Sequence, residues 1–289
     1  MALAKALDGV VINADSMQVY SDLRVLTARP DWSDEAQVPH MLYGHVDGRE
    51  HYSVARWRAD VEAALEGVGA RLPIIVGGTG LYFSSLLTGL SNVPAIAADV
   101  REVWRARGRS EEPHLLHAEL ALRDPVMAAR LRPSDRQRIV RALEVFDATG
   151  TSLSQFQEGE TSGLLDPERC LRLVLEVEPE MLRARINARF DLMMAAGALE
   201  EVRALAGRHL DPTLPIMKAH GTPWLMAHLA GEMSLRAAME RAQGDTRRYA
   251  KRQRTWFRNR MADWLWTPPQ DAVERALAVL KEKANPSPM

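Results

Sequence analysis

Two short β-branched runs constrain the fold more than anything else in this chain. They are Val10-Val11-Ile12-Asn13-Ala14-Asp15 and Pro73-Ile74-Ile75-Val76. Each has the length and apolar continuity of a buried strand, and each stops in a turn. The first runs into Asp15-Ser16-Met17-Gln18, the second into Gly77-Gly78-Thr79-Gly80. Between them, Val54 to Glu66 reads as a helix with Gly67 as its stop, and Leu81 to Leu87 reads as another. Strand, helix, strand, helix predicts an α/β fold around a parallel sheet.

Downstream the texture changes. From Pro94 to about residue 160 no run reads as a strand, and helical segments are predicted near 97–107, 113–122, 124–131 and 134–148. Leu171 to Val177 alternates like a strand. A long helix is predicted from Pro179 to Leu205, with Gly207 at its end. Further helices are predicted at 222–230, 234–240 and 244–260, a short strand at Trp264-Leu265-Trp266, and a last helix from Asp271 to Lys283. The expected organisation is an α/β core from 1–93 and 161–289, with 94–160 as an inserted helical domain. The tail Asn285-Pro286-Ser287-Pro288 is expected to be disordered. At the other end, Ala2 to Asp8 reads as the second half of a helix that stops at Gly9, without the pattern of a secretory signal.

Lys and Arg number 37 against 38 Asp and Glu, so a uniformly basic coat is excluded while a local basic patch is not. The single cysteine, Cys170, excludes an intrachain disulfide and a cysteine-cluster zinc site, and suits a reducing compartment. No apolar run approaches the ~18–20 residues that span a bilayer. The histidines form no HExxH pattern, and His114 and His117 read as surface or core residues.

Four features carry chemistry. Asp15 sits where a parallel strand should end, the place where open α/β sheets bind ligands. It can act as a general base or simply cap the next turn. Gly77-Gly78-Thr79-Gly80 offers close backbone approach and a hydroxyl donor ahead of a helix, or is only a tight turn. Arg185 and Arg189 flank the apolar stripe Leu182, Ile186, Phe190 and Met193, either as phosphate ligands or as solvated charges. Residues 241–260 hold eight Arg or Lys and one Asp, a net +7, with Tyr249, Trp256 and Phe257 interleaved. Basic side chains among aromatics favour a polyanion with unstacked bases over a merely solvated helix. A weaker basic stretch runs from Arg130 through Arg132, Arg136, Arg138 and Arg141.

Taken together, the chain resembles the bacterial tRNA dimethylallyltransferases. The resemblance rests on seven stretches in family order: INADSMQVY (12–20), LTARP (26–30), VPHMLYGHVD (38–47), PIIVGGTGLYFSSLLTGL (73–90), DRQRIVRALEVFDATG (135–150), RARINARFDLMMAAGALEEVRAL (183–205) and YAKRQRTWFRN (249–259). It implies a P-loop NTPase-like parallel sheet core with an inserted helical domain. It also implies transfer of a dimethylallyl group from dimethylallyl diphosphate to the exocyclic amine of the adenosine 3′ of the anticodon.

By match to the family's motifs, Asp15, Thr79 and Arg189 would be catalytic. Asp15 would take or hold the amine proton, while Thr79 and Arg189 would bind the diphosphate, aided by magnesium (Mg2+). Asp15, Ser16, Met17 and Gln18, with Gln137, Arg138, Ile139, Val140 and Arg141, would contact the tRNA anticodon stem–loop. Arg247, Arg248 and Lys251 join them from the basic segment. The resemblance further implies a cytoplasmic monomer with no membrane association.

Two departures from the family stand out. Gly221-Thr222-Pro223 stands where members commonly carry Gly-Tyr-Arg, which implies a local difference. No G-x-x-x-x-G-K-[ST] phosphate loop occurs in this sequence, and residues 2–9 match the helix that follows that loop. The expectation from this is a gap in the sheet beside the Val10–Ala14 strand, low stability and activity, and a start of the gene product further upstream. The alternatives are a non-catalytic tRNA-binding remnant and a small-molecule kinase. The missing phosphate-loop lysine and the basic aromatic segment argue against the kinase.

Overall fold

Strand β1 (Gly9–Asn13) is buried at every position and forms the middle of a parallel sheet ordered β2-β1-β3. The computed structural model describes residues 1–159 and 161–284. Helix α1 (Ala2–Ala6) precedes β1. It is followed by α2 (Trp32–Gln37), β2 (His40–Met41), α3 (Val54–Gly67), β3 (Leu72–Val76) and α4 (Gly80–Leu87). The β1–β3 register runs from Gly9 opposite Leu72 to Asn13 opposite Val76, and Val11 and Ile12 face His40 and Met41 of β2.

Both faces of β1 are covered, which is why its sequence reads as a continuous apolar run rather than an alternating one. Val10 and Ile12 join the main core, whereas Val11 packs with Ala4 and Val38. Helix α3 starts at Ser53, whose hydroxyl accepts from Arg56 N. It buries Trp57, Val61 and Ala64, spaced four and three apart on one face. The Trp57 ring stacks on Tyr82 at 4.1 Å, and its Nε1 donates to Asn13 O.

Two expectations at this end are corrected. Gly9 does not stop a helix: α1 ends earlier, the chain turns through Asp8 at φ +46°, and Gly9 is the first residue of β1. A Cβ at Gly9 would lie 2.7 Å from Ile74 Cδ1 and 3.2 Å from Ala4 Cα, so the glycine serves packing. Nor is there a gap beside β1, because the two-residue β2 is too short to read from sequence and fills one side. Among the described residues the sheet has β2 and β3 as its edges, and on β3 Leu72 and Val76 are exposed.

The chain divides into two compact units, Met1–Leu87 with Leu164–Met289, and Thr88–Gly163. The second unit is helical: α5 (Ala98–Ser110), α6 (Pro113–Arg123), α7 (Pro125–Arg130), α8 (Arg136–Thr149) and α9 (Leu153–Glu158). Its core is built on Trp104, Leu116, Leu120, Ile139 and Leu143.

The first unit resumes with β4 (Leu173–Leu175), α10 (Pro179–Ala195), α11 (Ala198–Gly207), α12 (Thr222–Leu229), α13 (Leu235–Arg260), β5 (Leu265–Thr267) and α14 (Ala272–Ala284). β4 and β5 pair in parallel as a separate two-stranded sheet. The single helix predicted over 179–205 is two, because Gly197 takes φ +100° between strong helix formers and breaks it.

The two helices predicted at 234–240 and 244–260 are one. Gly244 costs about 1 kcal/mol in a helix, too little to end one whose Ala238 and Ala242 are fully buried. The tail expected to be disordered lies outside the described residues. Among the described residues no helix is long and apolar enough to cross a membrane.

Candidate active site

The carboxyl ends of β1 and β3 are tied into one structure. Ala14 N donates to Val76 O, and Thr79 N donates to Ala14 O. Ser16 N donates to Thr79 Oγ1 across 3.0 Å. Gly77 permits this: a Cβ there would stand 2.1 Å from the Ala14 carbonyl carbon. Since Thr79 Oγ1 already accepts, its own O–H is left to donate to a ligand.

The turn after β1 is shaped by Asn13, which is fully buried. Its Oδ1 accepts from Asp15 N, and its Nδ2 donates to Asp15 O and Leu42 O. Asp15 Oδ1 accepts from Met17 N at 2.8 Å and Gln18 N at 3.3 Å. The capping reading of Asp15 is therefore true of one oxygen, and Oδ2 remains for other work. Burial pushes the Asp15 carboxyl above the usual carboxylate range, against the Met17 and Gln18 amides and the positive charges of His220 and Arg189. Burial also raises the phenols of Tyr43, Tyr82 and Tyr249, and the charge of Asp15 adds to each. The same cause lowers the His220 imidazole, against the charges of Asp245 and Asp15.

Helix α13 closes over the glycine loop. Gln253 Nε2 donates to Gly78 O at 2.7 Å. A Cβ on Gly78 would meet that same Nε2 at 2.3 Å, and one on Gly80 would meet the Trp256 ring at 2.2 Å. Thr79, Gly80, Tyr249, Trp256 and Phe257 border a hollow of about 180 Å³. The three aromatics are thus half-buried beside the loop, neither in the core nor fully exposed. The His220 ring meets Tyr249 with centroids 4.7 Å apart. A larger depression of about 430 Å³ lies at Asp191, Met239 and Gln243 and includes none of Asp15, Thr79 or Arg189.

Arg189 is exposed on α10, beside the buried stripe of Ile186, Phe190 and Met193. Asp15, Thr79 and Arg189 therefore belong to one unit, with Asp15 inside the field of Arg189.

The structure divides the other expected contact residues. Gln137, Arg138 and Arg141 are exposed on α8, but Ile139 and Val140 are buried in the helical core. Five consecutive residues of a helix do not share one face, so in this stretch Gln137, Arg138 and Arg141 turn outward and Ile139 and Val140 inward. Gln18 Nε2 donates to Thr27 O and Ala28 O, and Met17 packs against the core, so both hold the turn in place. Arg247 donates to Asn187 Oδ1 at 2.6 Å, and Arg248 pairs with Asp245. Lys251 is exposed and forms no ion pair among the described residues. Arg254 and Arg258 both pair with Glu176, which lowers the effective charge of the +7 segment. Asn13, His220 and Gln253 carried no sequence signal of their own; the only trace was the glycine-rich loop that Gln253 covers.

Gly221, at φ +98°, opens α12, and Thr222 behind it is fully buried. Among the described residues no three His, Cys, Asp or Glu side chains converge to hold a metal ion.

Comparison with known proteins gives a consistent picture. The family model described as IPP transferase matches residues 18–260. A tRNA dimethylallyltransferase of Azorhizobium caulinodans is 54% identical over 281 residues, covering 96% of this chain and 90% of that protein. One of Nitrobacter hamburgensis is 54% identical, covering 97% and 89%. Among solved structures, the tRNA isopentenylpyrophosphate transferase of Bacillus halodurans has a TM-score of 0.69 at 30% identity, covering 98% of this chain and 90% of that one. A eukaryotic dimethylallyltransferase acting on tRNA has a TM-score of 0.81 at 27% identity, covering 99% and 76%.

Proposed function

The chain belongs to the IPP transferase family, and from that premise we propose that it transfers a dimethylallyl group from dimethylallyl diphosphate to the exocyclic amine of the adenosine 3′ of the tRNA anticodon. It is a prenyltransferase on a P-loop NTPase-like parallel sheet core with an inserted helical domain. The observation that supports the residue assignment is the Ser16–Thr79 hydrogen bond, which ties the turn carrying the half-buried Asp15 to the loop carrying the Thr79 hydroxyl at the strand ends.

In the reaction the amine nitrogen forms a bond to the allylic carbon, and the carbon–oxygen bond to diphosphate breaks. The electron pair of that bond stays on the diphosphate oxygen. The amine proton passes to Asp15 Oδ2, whose basicity is raised by burial. The hydroxyl of Thr79 and the guanidinium of Arg189 meet the negative charge that grows on the diphosphate, where fixed donors act most strongly. The aromatic hollow beside Thr79 excludes water from the allyl group.

A magnesium ion that travels with the diphosphate fits the residues present, because this ion keeps most of its ligands as water and phosphate and takes only one or two protein oxygens. When bound it neutralises phosphate charge.

The adenosine must leave its stack to reach Asp15. The anticodon stem–loop is held by Gln137, Arg138 and Arg141 in the helical unit and by Lys251 in the core unit. The tRNA substrate also puts the enzyme in the cytoplasm. The test is substrate substitution. A stem–loop whose target adenosine is replaced by purine riboside, which lacks the exocyclic amine, should bind but gain no dimethylallyl group. Modification of that RNA at another position would reject the assignment of the acceptor.

A further inference from the structure

Helices α5 and α8 approach closely at Gly108. A Cβ there would lie 2.7 Å from Val140 Cγ2, so a side chain would push the helices apart. The approach brings arginines from both helices onto one carboxylate. Glu144 of α8 is 3% exposed. Arg105 Nε donates to its Oε1, and Arg141 Nη1 donates to its Oε2, each across 3.3 Å. A carboxylate this deep is unfavourable unless paired and hydrogen-bonded, and here both oxygens are satisfied by arginines.

The two arginine side chains are nearly half exposed, at 47% and 45%. Each has five N–H donors, and Glu144 engages only the inward side. Arg101 and Arg109 stand four residues before and after Arg105, so the three lie along one line of α5 in steps of about 6 Å. All three are exposed. Arg101 donates to Ile96 O, and Arg109 forms no ion pair among the described residues. Arg136, the first residue of α8, donates instead to Gly108 O and helps lock the two helices together.

We propose that Arg101, Arg105 and Arg109 of α5, with Arg141 held beside them by Glu144, bind the sugar–phosphate backbone of the tRNA. Glu144 is a positioning residue. This rests on the reading of tRNA as the substrate. A regular row of planar, multi-donor cations matches a regular row of phosphates. Contacts of this kind set register and orientation without reading sequence. Gly108 and Glu144 together hold Arg105 and Arg141 side by side.

The experiment measures binding of unmodified tRNA to the full chain across a range of salt concentrations. Arg105→Ala and Arg109→Ala are expected to weaken binding about tenfold each at low salt. Each should also reduce the slope of log affinity against log salt by about one. Glu144→Gln is the sharper variant because it adds net positive charge. Simple attraction would tighten binding, whereas loss of positioning should weaken it. Thermal melting of Glu144→Gln checks that the helical unit still folds; if it does not, the two surface arginine variants decide the matter. Wild-type affinity and slope in both arginine variants would overturn the proposal and leave the tRNA reading intact. Tighter binding by a folded Glu144→Gln protein would overturn the positioning role. No tRNA binding by the wild-type chain would overturn the underlying reading itself.

Discussion

The backbone N–H of Ser16 donates to Thr79 Oγ1 across 3.0 Å, which locks the turn after β1 to the loop after β3. One hydroxyl thus fixes the Asp15 turn and, in the proposed reaction, donates to the diphosphate. Removing it should act on chemistry more than on folding. Thr79→Val should lower kcat by roughly 10²-fold, the order seen when one preorganised donor to a developing anion is lost. Thr79→Ser should keep most of the activity. Steady-state prenylation of an anticodon stem–loop by the three proteins measures this, and an active Thr79→Val protein would remove the hydroxyl from the site.

Asp15 has opposite consequences for activity and stability. Asp15→Asn should reduce single-turnover transfer by at least about 10²-fold, with little change in tRNA affinity. Burial raises the folded-state pKa of Asp15 above its ordinary value of 3.8. The stability associated with this group is therefore fully present below 3.8 and lost as pH rises through the raised value. Asn removes that loss and can still accept from Met17 N and Gln18 N. The variant should melt higher than wild type at neutral pH, and the difference should vanish toward pH 3.8. The wild-type rate should rise with pH through the same window, as the carboxylate becomes the base. A lower melting temperature for Asp15→Asn at neutral pH would show that the charge is not held at a cost.

The basic residues of α13 should separate into two classes. Lys251→Ala should leave stability unchanged and reduce the salt slope of tRNA binding by about one. Arg247→Ala should instead cost about 1 kcal/mol of stability, because it removes the hydrogen bond to Asn187 that joins α13 to α10. Denaturant unfolding alongside salt-dependent binding distinguishes them. Equal effects on both measurements would erase the distinction.

Gly77 offers a test of the loop itself. A Cβ at this position meets backbone, which gives way less readily than a side chain. Gly77→Ala should destabilise by about 3 kcal/mol, the upper part of the range for overpacking. Gly78→Ala meets the movable end of Gln253 instead and should cost less. The ranking is read from urea unfolding of the two variants, and the reverse order would contradict the close approach at Ala14.

The sequence disclosed those parts of the fold whose signal is local. β1 and β3 were legible because β-branched runs met turn residues at both their ends. β2 was not, since two residues between Pro39 and Leu42 carry no periodicity. The break at Gly197 and the continuity through Gly244 show the same residue type with opposite outcomes. A positive φ ends α10, while buried alanines carry α13 onward. Asp15 and Thr79 were legible as strand-end residues, but the Ser16–Thr79 hydrogen bond that ties their two turns together was not. It spans 63 positions and depends on a register that no local pattern encodes. The same limit hid Glu144, which reads as an ordinary surface glutamate until Gly108 brings α5 against α8.

The most direct measurement is mass spectrometry of nucleosides from a tRNA anticodon stem–loop incubated with this chain, magnesium and dimethylallyl diphosphate. The account predicts one dimethylallyl unit on the exocyclic nitrogen of the adenosine 3′ of the anticodon, absent with Asp15→Asn. Stem–loop RNA that binds the chain tightly yet returns wholly unmodified would contradict it and identify a tRNA-binding protein without transfer activity.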